Sequence, residues 1–170
     1  MKPKSRPLRI LTWHIHGSYL YYLVKDSLHT FYLPIKPNRE YGYGGRAGSW
    51  AWPDRVIEVP AERVRDLPLD LILFQTRKNY FEDQFEILSE AQRKLPRVYL
   101  EHDPPREHPT DTCHPVDDPD TLLVHGTPFN NLMWGSRRTP TRVIEHGVII
   151  PEEPLYSGKI PKGIVVINQL

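Results

Sequence analysis

Along the chain, apolar residues gather in seven short runs separated by polar, proline-marked stretches: LRILTWHI (8–15), TFYLPI (30–35), RVIEV (55–59), DLILFQ (70–75), RVYLEH (97–102), TLLVH (121–125) and TRVIEH (142–146). Several are almost unbroken Val, Ile and Leu, which predicts strands covered on both faces. Between some of them the period lengthens to that of a helix. In NYFEDQFEILSEAQRKL (79–95), Phe81, Phe85, Leu88 and Leu95 recur at helical spacing, Asn79 can cap the start, and the charges are expected to face water. GSYLYYLVKDS follows the first run as a shorter helix, and TPFNNLMWGS follows the sixth, with Thr127 as cap, Pro128 in the first turn and Gly135 as the stop.

Strand and helix alternating in this way is the rhythm of parallel βαβ units. Crossovers between parallel strands are right-handed, so the helices should cover both faces of one twisted sheet. The expectation is an α/β chain with a Rossmann-like, doubly wound, mostly parallel sheet.

Two segments fall outside the rhythm. KPNREYGYGGRAGSWAWPD (36–54) is long, aromatic and glycine-rich. Its Gly42, Gly44 and Ala47 have the spacing of a dinucleotide loop, but the sequence runs on into SWAWP, which cannot open a helix toward a pyrophosphate. A flexible loop able to order over a ligand is expected instead, with Trp50 and Trp52 either stacking on a sugar or anchoring the loop. The second segment is KIPKGIVVINQL, a proline-marked linker entering a strand-like run. Residues 1–162 therefore read as one domain, and 163–170 as the last strand of its sheet or the first strand of another domain. An unpaired strand there would also leave open a dimer formed through it.

Charge narrows the partners. With 22 basic and 21 acidic residues the chain is nearly neutral, which speaks against a nucleic-acid grip through phosphates. The single cysteine, Cys113, makes no internal disulfide and fits a reducing cytoplasm. The amino-terminal apolar run is interrupted by Thr12, His14 and His16 and does not resemble a signal peptide, and no window reaches the length of a membrane span. The 18 prolines are about twice the usual share and are spread through the connections, where they would stiffen loops.

In an open parallel sheet, ligands bind beyond the carboxyl ends of the strands, near the point where strand order reverses. The predicted strand ends carry His14, His16 and Gly17; Gln75 and Thr76; His102 and Asp103; His125 and Gly126; His146 and Gly147. On an extended strand His14 and His16 would point the same way, as a metal pair does, with His102, Asp103, His108 and His114 as further ligands. No HExxH or paired CxxC accompanies them, so neither a metal nor a cofactor is expected. Cys113 has no neighbouring base and does not read as a nucleophile.

RILTWHIHGSYLYYL, VYLEHDPP, LLVHGTPFNNLMWGS and TPTRVIEHGVIIP together resemble the N-terminal half of a GT-B glycosyltransferase of the family-four, group-one type. The resemblance implies an acceptor-binding domain facing a second, donor-binding domain, whose first strand GIVVINQL resembles. It implies a cytoplasmic enzyme of cell-envelope polysaccharide biosynthesis, with a nucleotide-sugar donor, a carbohydrate or glycolipid acceptor, and no activity in this half alone. By the same resemblance Gly17 is the loop glycine approached by the donor phosphates. His102 is the active-site histidine, hydrogen-bonded to the transferred sugar or the nearby phosphate, and Asp103 orients it or the acceptor hydroxyl. His16, Ser18, Gln75, Thr76, His125 and His146 complete the expected substrate contacts. The family's asparagine before the Gly-Val pair is His146 here, and His102-Asp103 is followed by two prolines. A sugar or small-ligand binding module without chemistry is the alternative.

Overall fold

The computed structural model describes residues 6–108 and 110–147, together with Gly158, Lys159, Pro161 and Gly163. The expected boundary strand at 163–170 therefore lies outside the described residues, apart from Gly163. The strands are β1 (Arg9–Thr12), β2 (Thr30–Ile35), β3 (Val56–Pro60), β4 (Leu71–Phe74), β5 (Arg97–Glu101), β6 (Thr112–Cys113), β7 (Thr121–His125), β8 (Trp134–Gly135) and β9 (Thr141–Val143). Seven of them form one wholly parallel sheet in the order β3-β2-β1-β4-β5-β7-β9, while β6 and β8 make a separate small ladder. This is the Rossmann-like doubly wound arrangement. Each of the seven apolar runs forms one strand of the large sheet, and strand order reverses between β1 and β4.

The two-residue alternation of a strand divides the core. Leu11, Ile72, Phe74, Tyr99 and Leu123 face one side and pack with Val64, Tyr80, Ile87, Leu88 and Val116. Ile10, Leu73, Leu100 and Val124 face the other, where Leu20 and Val24 of α1 (Gly17–Lys25) cover them. Leu20 and Val24 are wholly buried, and burying a side chain of this kind contributes about 1.5–3 kcal/mol. The covering elements of the first face are a tight turn of helix at Ala61–Asp66 and the segment after β4.

That segment is not the single helix expected over 79–95. It runs through a wide turn at Asn79–Asp83 into α2 (Gln84–Ile87), stops at the extended Leu88, and resumes as a short turn at Gln92–Lys94. Ser89 and Gln92 explain the restart. Gln92 Oε1 accepts the Ser89 N–H at 2.9 Å and Ser89 Oγ accepts the Gln92 N–H at 3.2 Å, a reciprocal capping box that begins a new helix. Thr76 caps the first turn instead of Asn79, its Oγ1 accepting the Asn79 N–H at 3.2 Å. The buried stripe is Tyr80, Asp83, Gln84 and Ile87, whereas Phe81 and Phe85 are exposed.

The loop after β2 is docked rather than free. Tyr43 is fully buried with Lys36 Nζ 4.1 Å from its ring centroid, and backbone bridges join Gly42 to His14 and Gly44 to Ile35. Gly45 has a φ of +60°, and a Cβ there would collide with Glu58 Oε1 and Ile35 Cγ2, so only glycine fits this corner. The helix after β7, α3 (Pro128–Met133), starts as expected, Thr127 Oγ1 accepting the Asn130 N–H at 3.1 Å. It ends before Gly135 because Trp134 is drawn into β8.

Candidate functional site

At the carboxyl end of the sheet, where strand order reverses, lies an open cleft of about 460 Å³. The ends of β1, β4 and β5 deliver His16, Gln75, Thr76, His102 and Asp103 to it, so five of the expected site residues line one space. His16 and His102 meet there, their ring centroids 4.5 Å apart, and Tyr19 of α1 stands edge-on to His102 at 4.7 Å.

His102 is held by Gln75. The Gln75 amide is buried and donates from Nε2 to Trp13 O at 2.8 Å and to Thr12 Oγ1 at 2.9 Å, while its Oε1 lies 3.2 Å from His102 Nε2. Burial pushes the His102 pKa down to about 4, and nearby His16 and His146 push the same way, against the opposite pull of Glu101 and Asp103. At neutral pH it is an uncharged imidazole.

Glu101 also reaches the cleft, from the other face of β5. Its Oε2 accepts from His114 Nε2 at 2.9 Å and its Oε1 accepts the Asp103 N–H at 2.9 Å. His114 is 1% exposed, and its Nδ1 accepts the Val116 N–H at 3.1 Å, so the proton it offers Glu101 is on Nε2. Trp134 covers this pair, 5.2 Å from the His114 ring, and donates its indole N–H to Asp103 O at 2.9 Å. Asp103 itself is exposed and paired with Arg106 at 3.0 Å.

The other expected residues lie apart. Gly17 and Ser18 open α1 beside His16, and Ser18 is exposed. A Cβ on Gly17 would stand 2.9 Å from His14 Nε2 and 3.4 Å from Trp50 Nε1, so the missing side chain makes room for groups of the chain itself. His14 does not share a face with His16. Its ring turns to the loop after β2, with Nδ1 donating to Gly45 O, and packs against Trp52. His125 has no exposed surface and both its ring nitrogens lack hydrogen-bond partners, so it does not line the cleft. Burial, with His114 nearby, lowers its pKa. His146 is exposed, touches Tyr19 at 4.7 Å between centroids, and lines a separate apolar groove of about 360 Å³ beside α1. Trp50 spends one face on Tyr21, stacked at 5.1 Å. Among the described residues no group of three or more His, Cys, Asp or Glu side chains is placed to hold a metal ion. Nor, among them, is any helix long and apolar enough to cross a membrane.

Tyr19 and Glu101 were not among the expected site residues. Glu101 precedes His102 by one position, and strand alternation alone would have placed it on the opposite face of the same rim. His114 reads from the sequence only as a metal ligand; a loop fold brings it back to β5 as the partner of Glu101 instead.

The chain matches no protein-family model, no curated protein and no solved structure.

Proposed function

We propose that the chain is the acceptor-binding half of an enzyme that moves a sugar from a nucleotide-sugar donor to a glycan, lipid or small-molecule acceptor. The donor would be held mainly by a second α/β domain facing the cleft. One observation carries the reading: His16 and His102 converge within 4.5 Å at the rim where strand order reverses, on a cleft open to solvent. Ligands of doubly wound sheets bind at this point.

Sugar transfer asks little acid–base power of this half. It needs an acceptor hydroxyl fixed against the sugar carbon and dipoles set in advance around the separating charges. A neutral His102 held by Gln75, with Glu101 fixed by His114, is a rigid set of polar groups of that kind.

The reading is tested by incubating the full-length gene product, and residues 1–170 alone, with a panel of uridine, guanosine and adenosine diphosphate sugars and mixed glycan acceptors. Release of nucleoside diphosphate is followed by mass spectrometry. Turnover by the full-length product and none by residues 1–170 is expected. Glycan binding with no turnover by the full-length product would replace the reading with a binding module, and neither binding nor turnover would overturn both.

A further inference from the structure

The side chain of Gln75 has one orientation that its surroundings accept. Trp13 O is an acceptor only, so the group facing it at 2.8 Å must be the amide NH₂. Reversing the amide would set two carbonyl oxygens against each other in a buried site. Gln75 Oε1 is therefore the atom 3.2 Å from His102 Nε2, and an amide oxygen cannot donate. The shared hydrogen belongs to the imidazole.

We propose that Gln75 is a positioning residue that locks His102 in the Nε2–H tautomer, leaving Nδ1 as a bare lone pair on the cleft side chain. This deepens, and rests on, the sugar-transfer reading of the site. A bare Nδ1 accepts the hydrogen of a sugar hydroxyl and has none to give a phosphate oxygen, so the lock assigns His102 to a hydroxyl. Among the described residues no hydrogen bond to Nδ1 competes with such a ligand. A positive ring would donate from both nitrogens and abolish the distinction. The groups around it are His16 after β1, Tyr19 on α1, His146 after β9, and Glu101 and Asp103 on either side in sequence. Burial and the two histidines prevail over the two carboxylates, which keeps the ring neutral at pH 7.

The tautomer is read directly from long-range ¹H–¹⁵N correlation spectra of the labelled chain at pH 7, with the His102 signals assigned by their loss in His102→Gln. A protonated-type Nε2 and an unprotonated-type Nδ1 are expected, and the opposite pattern in the wild-type chain would overturn the proposal without any further variant. Gln75→Met removes the acceptor and should give a mixture of tautomers. A folded Gln75→Met chain that keeps a pure Nε2–H pattern would equally overturn it. If that variant fails to fold, Gln75→Glu serves, because a carboxylate at this place should raise the His102 midpoint from about 4 by at least about one unit. An unmoved midpoint there means that residue 75 does not control the ring. None of these spectra involves a sugar, so failure of the transfer reading leaves the lock standing. Where turnover is found, Gln75→Met should lower kcat by about tenfold or more with a smaller change in KM.

Discussion

Glu101 and His102 are adjacent in the chain and reach the same cleft, yet strand alternation sends them into two unlike surroundings. On the Glu101 side, every group is answered: His114 gives its Nε2–H to the carboxylate, receives Val116 N–H on Nδ1, and is roofed by Trp134. On the His102 side, Gln75 satisfies one nitrogen and the other is left without a partner among the described residues. Burial with complete hydrogen bonding makes a structural anchor, while a ring that lines an open cleft with one atom unpartnered leaves room for a ligand to answer it. The two sides should therefore fail differently when cut.

The largest effect is expected on the anchored side. His114→Ala leaves a cavity and a stranded carboxylate, and should remove about 3–4 kcal/mol of stability in urea unfolding. A loss under about 1 kcal/mol would mean that the pair is not structural.

His102→Ala should show the reverse pattern. Where turnover is found, it should drop on the order of 100-fold while ligand binding and the unfolding midpoint change little. Equal losses in binding and turnover would remove His102 from contact with the transferring group.

Next comes pH. His102 and His125 both have folded pKa values below the ordinary histidine value of about 6.5, so the unfolded chain takes up protons that the folded one refuses. Stability should hold above about pH 6.5 and fall as the pH drops below it, with the His102 share lost progressively down to about 4. Replacing the unpartnered ring in His125→Leu should shrink this acid sensitivity, measured as the difference in urea midpoint between pH 7.5 and 5. An unchanged difference would show that His125 carries no part of it.

Asp103→Asn should have the smallest effect. The carboxylate is exposed and, among the described residues, pairs with exposed Arg106, so the change in stability should stay within about 0.5 kcal/mol. A turnover loss near that of His102→Ala would promote Asp103 to direct contact with substrate.

The sheet was legible because its information is local. Runs such as DLILFQ and TLLVH are apolar on both faces, and only a covered parallel strand uses them. Because ligand sites of such sheets follow strand ends, the sequence alone brings His16, Gln75, Thr76, His102 and Asp103 to one place. Other features depend on contacts across the chain. The stripe Phe81, Phe85, Leu88 has helical spacing, but the wide turn at Asn79–Asp83 shifts its phase, leaving Phe81 and Phe85 exposed and carrying Tyr80 and Ile87 inward beside Leu88. His125 and His102 both close an apolar run, but His125 pairs in register with Glu101, one residue short of the His102 position, and is fully buried. The glycine-rich loop suggested mobility by composition, while Tyr43 inserts into the core and holds it.

The position of β1 has a consequence for how the chain is made. It lies between β2 and β4, its Thr12 paired in register with Leu73, and Gln75 then ties Thr12 and Trp13 from above. A ribosome must therefore deliver some sixty residues beyond the first strand before that strand has its second neighbour, a long separation that slows assembly. A nascent chain halted before Leu71 carries β1 as an open edge, the kind of unpaired strand on which partly made chains aggregate.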